Sequence, residues 1–149
     1  MDSPKSENDK KVILVIDHVA TELSLLSIVL ESRFEVKLEK CAAKALRLLE
    51  QQPVDLILVA IEMPGMSGFE FLNRIRRKPQ LVSIPVIALS SRQEPNIACY
   101  ALKNGAARCL AKPVTAGVLL QKIDELLGFT ENPGAEPVRE NVQRAFPLP

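Results

Sequence analysis

Five short apolar runs recur along the chain, and each is followed by a stretch whose hydrophobic residues return every three or four positions. The runs are "KVILVID" (11–17), "FEVKLE" (34–39), "DLILVA" (55–60), "PVIALS" (85–90) and "RCLA" (108–111). Their length and composition predict strands, and the first, third and fourth are continuously apolar, as strands covered on both faces of a parallel sheet must be. The segments between them predict helices. "ATELSLLSIVLES" carries Leu25, Leu26, Val29 and Leu30 at helical spacing, and "CAAKALRLLEQQ" carries Ala42, Ala45, Leu46 and Leu49. "GFEFLNRIRRK" offers Leu72 and Ile75, "NIACYALKNG" offers Ile97, Ala101 and Leu102 as inward positions, and "VTAGVLLQKIDELLG" offers Leu119, Ile123, Leu126 and Leu127. Pro53, Pro79, Gly105 and Gly128 stand where the second to fifth helices should stop.

Strict alternation with short connections implies right-handed crossovers and an α/β three-layer sandwich around a parallel sheet. In such open sheets a site forms beyond the carboxyl ends of the strands, where the strand order reverses. That rule selects Asp17 and His18, Ala60 to Glu62, Ser90 and Ser91, and the loop after Leu110. The flanks read differently. Residues 1–10 are polar and predict a disordered tail, 11–128 form the domain, and 129–149 hold four prolines and predict a tail or linker. Within that last segment Val138, Val142 and Phe146 lie one helical turn apart, a pattern also open to a short amphipathic helix.

Composition narrows the function classes. The 149 residues are 47% hydrophobic and 25% charged, enough for one core with modest tails. A net charge of +1 gives no electrostatic reason to expect a nucleic acid or an anionic membrane as partner. Cys41, Cys99 and Cys109 are dispersed, which indicates neither a disulfide framework nor a zinc site. No apolar run approaches the roughly 18 residues of a membrane-spanning helix, and "MDSPKSENDK" is no signal peptide. The expected location is cytoplasmic.

At the strand ends the chain resembles the receiver domain of two-component response regulators, from residue 11 to about residue 128. "AIEMPGMSGFEFL" matches the family's third-strand turn in all but its first letter, "IPVIALSS" matches the fourth strand and "ALKNGAARCLAKPV" matches the Lys-Pro signature. The resemblance implies a (βα)5 flavodoxin-like fold with strand order 2-1-3-4-5. It also implies that Ser90 is the hydroxyl that reports a phosphoryl group, that Lys112 would pair with that group, and that the Lys112–Pro113 bond is cis. In the family an aspartate occupies the Ala60 position as nucleophile, and two acids at the end of the first strand help to hold Mg²⁺. Phosphoryl transfer to a carboxylate needs that oxygen, that cation and fixed donors around them.

The departures fall on this chemistry. His18 replaces the second acid, Ala60 removes the nucleophile, and Cys109 stands at the aromatic or histidine switch position. Three clustered carboxylates repel by roughly 3 kcal/mol for a pair ~5 Å apart at an effective dielectric of ~20, and Mg²⁺ offsets this. With Asp17 alone facing Lys112, the pocket should be near neutral, filled by an Asp17–Lys112 pair, and weak or lost in Mg²⁺ binding. Glu62 is expected to use only its backbone and to point its side chain outward. The expectation is a pseudo-receiver: no enzyme, no metal, no cofactor, signalling by protein–protein contact in a bacterial-type phosphorelay. A histidine kinase or effector domain is the expected partner, with a homodimer through the fourth helix, fifth strand and fifth helix as a further option. Cys99, Tyr100 and Lys103 should face outward on that surface. Two alternatives stay open: phosphorylation of an atypical acceptor, and small-molecule sensing by the altered pocket.

Overall fold

A computed structural model describes residues 10–128, so the two tail readings lie outside the described residues. The strands are β1 (Val12–Ile16), β2 (Glu35–Glu39), β3 (Leu56–Ala60), β4 (Val86–Ser90) and β5 (Arg108–Ala111). The helices are α1 (Ala20–Leu30), α2 (Ala42–Gln51), α3 (Gly68–Arg76), α4 (Pro95–Lys103) and α5 (Ala116–Leu127). All strand pairs are parallel and their order is β2-β1-β3-β4-β5. The order reverses between β1 and β3, which places the ends of those two strands side by side at the carboxyl edge.

Alternation along each strand divides the core. Leu14, Ile16, Ile57 and Val59 face α2, α3 and α4 through Ala45, Phe71, Ile75 and Ala101. Ile13, Val15, Leu56 and Leu58 face α1 and α5 through Leu23, Leu26, Leu30, Leu119 and Ile123. Every residue of β3 and β4 is buried, as continuous apolar runs in central parallel strands require.

Two inward assignments are corrected. Leu25 is 63% exposed and Leu23 is buried in its place, because the stripe that meets the sheet is 23, 26 and 30. Leu102 is exposed as well: Ala101 meets the core, and the next residue lies roughly 100° further round the helix. Cys99, Tyr100 and Lys103 face outward as expected. Under α5 the fold also buries a charge that the hydrophobic pattern does not show. Lys122 lies 3.9 Å and Arg108 3.5 Å from the Glu125 carboxylate.

The turn after β3 has strict backbone needs. Gly65 takes φ +77°, in the left-handed region. Gly68 opens α3, its N–H donates to the Ile61 carbonyl at 2.9 Å, and a Cβ there would lie 2.5 Å from the Ala60 carbonyl oxygen and 2.7 Å from Ile61 Cα. Alanine at an ordinary helix position is better than glycine by about 1 kcal/mol. At position 68 the backbone clash should reverse the sign, so that Gly68→Ala destabilises by about 2 kcal/mol in equilibrium urea unfolding.

Candidate functional site

Asp17 and His18 follow β1, Ala60 ends β3, Ser90 ends β4, and Lys112 and Pro113 follow β5. All six reach the same edge because parallel strands point their carboxyl ends one way. Ala60 is 1% exposed and ends its strand with a buried methyl group. The Lys112–Pro113 bond is cis.

The buried Asp17 carboxylate is fully engaged. Lys112 Nζ donates to its Oδ2 at 2.8 Å, and the Val19 N–H donates to its Oδ1 at 3.0 Å. His18, half exposed, keeps its Nδ1 3.8 Å from Asp17 Oδ1. The expected Asp17–Lys112 pair is therefore present, but it is not alone. Glu22, from the first turn of α1, also lies 2.8 Å from Lys112 Nζ. Burial acts most strongly on this lysine and lowers its pKa, yet hydrogen bonds and charge from Asp17 and Glu22 outweigh it and hold the ammonium above its usual range.

Glu62 departs from its expected outward course. Its Oε2 accepts from Ser90 Oγ at 2.7 Å, and its Oε1 accepts from the Ser91 N–H at 2.9 Å and Ser91 Oγ at 3.1 Å. Three donors from two successive residues hold the side chain against the end of β4. Burial, the strongest single influence, raises its pKa, but the Ser90 and Ser91 hydrogen bonds together overcome it and leave the carboxyl below its usual 4.5. The near-neutral pocket is accordingly corrected. Asp17, Glu22 and Glu62 set three carboxylates against the one ammonium of Lys112, and the compensation comes from hydrogen bonds as much as from charge.

A cleft of about 490 Å³ opens beside these groups, lined on its polar side by His18, Glu22, Glu62, Ser91 and Lys112 and on its apolar side by Val19, Leu25, Leu26, Leu89, Pro113 and Val114. Among the described residues no group of three or more His, Cys, Asp or Glu side chains is arranged to hold a metal ion. Cys109 is buried behind the edge, and burial, reinforced by the Glu62 charge, pushes its thiol up to about 11, so it is no thiolate at neutral pH. On the far side of α4, the exposed Tyr100 ring meets Phe69 edge-on, with centroids 4.7 Å apart.

The structure brings Asp17, His18, Ala60, Glu62, Ser90, Lys112 and Pro113 to one edge and adds a partner the sequence does not point to, Glu22. The missing signal was tertiary: nothing in the helical spacing of α1 says that its first turn faces the loop after β5. Among the described residues no helix is long and apolar enough to cross a membrane.

Comparison with known proteins gives a consistent picture. A family profile described as the response regulator receiver domain matches residues 12–124. A Vibrio cholerae protein named "Probable cyclic di-GMP phosphodiesterase" is 32% identical over 111 residues, which is 74% of this chain and 25% of that protein. The two-component response regulator ORR6 of Oryza sativa subsp. japonica is 33% identical over 113 residues, covering 74% of this chain and 66% of its own. The chain thus spans only part of the length of both relatives. A crystal structure of a response regulator receiver domain protein from Clostridium thermocellum superposes with a TM-score of 0.72 at 30% identity, over 79% of this chain and 94% of the other.

The lowered Glu62 pKa has a pH consequence with a definite sign. Its stabilisation is fully present above the unfolded value of 4.5 and is lost as pH falls through the lower folded value. Glu62→Gln should therefore cost about 1 kcal/mol at neutral pH, and the gap between the two proteins should close in strong acid. Urea unfolding across an acid pH series measures both limbs.

Proposed function

The chain belongs to the response regulator receiver domain family, and we propose that it works there without accepting a phosphoryl group, by presenting a standing surface to other signalling proteins. Its place is two-component signal transduction, where receiver domains meet histidine kinases and effector domains. The observation that carries the proposal is the buried methyl group of Ala60 at the family's acceptor position, flanked by retained groups that the chain already satisfies from within.

Acceptor chemistry would need a free carboxylate, a cation and open donors. Lys112 is held between Asp17 and Glu22, and Ser90 is held by Glu62. Asp17, Glu22 and Glu62 each already have a partner within the chain, which gives an atypical acceptor little to work with. The donor set also fits Mg²⁺ poorly. One oxygen of Asp17 faces an ammonium and the other an N–H, and the neighbouring side chain is an imidazole, whereas Mg²⁺ takes oxygen ligands in a near-octahedral shell. No step through the metal is therefore assigned, and no catalytic activity is assigned to the domain. The small-molecule alternative rests on the cleft alone.

The working surface in this reading is the exposed side of α4 with β5 and α5, extended toward α3 where Tyr100 meets Phe69. Tyr100, 52% exposed and braced by Phe69, offers an aromatic anchor of the kind that concentrates binding energy at interfaces. Cys99 and Lys103 flank it. A homodimer through the same elements, a kinase and an effector domain are the partners proposed, in the cytoplasm.

Intact mass after incubation with acetyl phosphate and Mg²⁺ tests the reading. The parent protein should gain no phosphoryl mass, while the double variant His18→Asp, Ala60→Asp should gain one phosphoryl group. A phosphoryl gain by the parent would overturn the proposal, and mapping the modified residue would identify the acceptor.

A further inference from the structure

Three carboxylates and one ammonium do not balance, and the imbalance lies beside a cleft of about 490 Å³. Glu22 and Glu62 in its lining, with the buried Asp17 behind them, set three negative charges against Lys112. With His18 counted as neutral, two negative charges are left over. The excess faces outward. The Lys112 side chain is 14% exposed and that of Glu22 38%, so the carboxylate stands nearer to solvent than the ammonium it pairs with. Glu22 meets Lys112 through Oε1, and no hydrogen bond among the described residues engages its Oε2. One helical turn further along α1 lies Leu25, 63% exposed and on the same wall of the cleft. Pro113 and Val114 line the apolar side from the loop after β5. Water hydrates such a carboxylate well and such a leucine badly.

We propose that this cleft binds a small organic monocation, a primary ammonium carried on an aromatic or branched apolar body. The volume suits a ligand of that size, and an apolar lining with a few convergent polar groups is the usual make-up of a small-molecule pocket. Charge selects the head group. An anion would meet the excess of carboxylates, whereas an ammonium donates to Glu22 Oε2 in a charge-assisted hydrogen bond and leaves Lys112 with both its partners. The walls select the body. Leu25, Leu26, Leu89 and Val114 are stabilised by losing contact with water, which neither a hydrated metal ion nor a bare ammonium brings about. An ammonium also needs only a few acceptors, where Mg²⁺ takes a near-octahedral oxygen shell that these engaged carboxylates do not offer. Glu22 is the charged anchor of this site and Leu25 the apolar one. The inference goes beyond the phosphoryl-independent reading, because it calls for neither a phosphoryl group nor a metal.

NMR titration of the backbone amides of Leu25, Ser91 and Val114, at neutral pH and constant ionic strength, tests this. The probes share one ring and differ in charge: protonated phenethylamine, neutral phenethyl alcohol and anionic hydrocinnamate. Phenethylamine should give saturable shifts in the millimolar range at those amides. The alcohol should bind about tenfold more weakly, and hydrocinnamate should give no saturable shift. In Glu22→Gln the affinity for phenethylamine should fall about tenfold while that for the alcohol stays within about twofold. A non-specific apolar contact would not produce that split. In Leu25→Ser the affinity for phenethylamine should fall about fivefold. The absence of a saturable shift with phenethylamine would overturn the proposal, as would equal affinity for amine and alcohol, or an unchanged affinity in Glu22→Gln. Should Glu22→Gln fail to fold, the exposed position of Leu25 keeps the test open, and an affinity in Leu25→Ser equal to the parent's would again overturn the proposal. Butylammonium, the end of a lysine side chain, covers less of the apolar wall and should bind more weakly than phenethylamine. Equal binding would assign the cleft to a lysine of a partner protein and overturn the free ligand.

Discussion

A charge taken out of water must find its compensation nearby, and at the carboxyl edge of this sheet all of it is found within the chain. Asp17 is buried, and an unpaired carboxylate in that position would cost several kcal/mol. Lys112 supplies the opposite charge, Val19 supplies an N–H, and Glu22 shares the lysine from the cleft side. Glu62 is balanced in another way, by three dipolar donors at the end of β4. These two circuits determine what the edge can do. Lys112 is paired with Asp17 and Glu22, and the Ser90 hydroxyl is taken by Glu62.

The framework around the edge has its own reasons to persist. Gly68 must be glycine because the backbone of β3 passes too close for a Cβ, and Gly65 must turn through the left-handed region. Ala60, by contrast, lies on a strand whose burial is complete on both faces, where a small apolar side chain costs nothing in solvation. An aspartate in that position would add a fourth acid to Asp17, Glu22 and Glu62 beside a single ammonium. Strand, turn and helix entry are thus held by backbone geometry that does not depend on the reactive oxygen.

Much of this was legible in the sequence. Parallel central strands must be apolar throughout, which makes β1, β3 and β4 readable from length and composition alone, and the strand-end rule gathers Asp17, Ala60, Ser90 and the loop that holds Lys112. What was not legible has physical causes. Six of the eight residues from Leu23 to Leu30 are apolar, so periodicity could not choose the buried face of α1, and Leu25 was assigned inward in place of Leu23. The reach of Glu22 to Lys112 depends on how α1 docks beside the loop after β5. The turn of Glu62 toward Ser91 is a rotamer choice, decided by three donors that the linear sequence does not place in space. Lys122 occupies a helical position that pattern alone would give to solvent; Glu125, 3.9 Å away, offers it an opposite charge that Arg108 shares.

The central claim of the proposed reading is that the carboxylates of this edge, held by one ammonium and by hydrogen bonds within the chain, take up no divalent cation. Titrating Mg²⁺ into the protein at constant ionic strength, with the thermal midpoint and the amide shifts of Asp17, Ala60 and Glu62 followed together, tests it most directly. The account predicts no saturable change in either observable through the millimolar range, because a ligand that does not bind the native state cannot shift its stability. A saturable rise in the midpoint, accompanied by shifts confined to those three residues, would contradict it and would mean that the carboxylates are free to hold a metal after all.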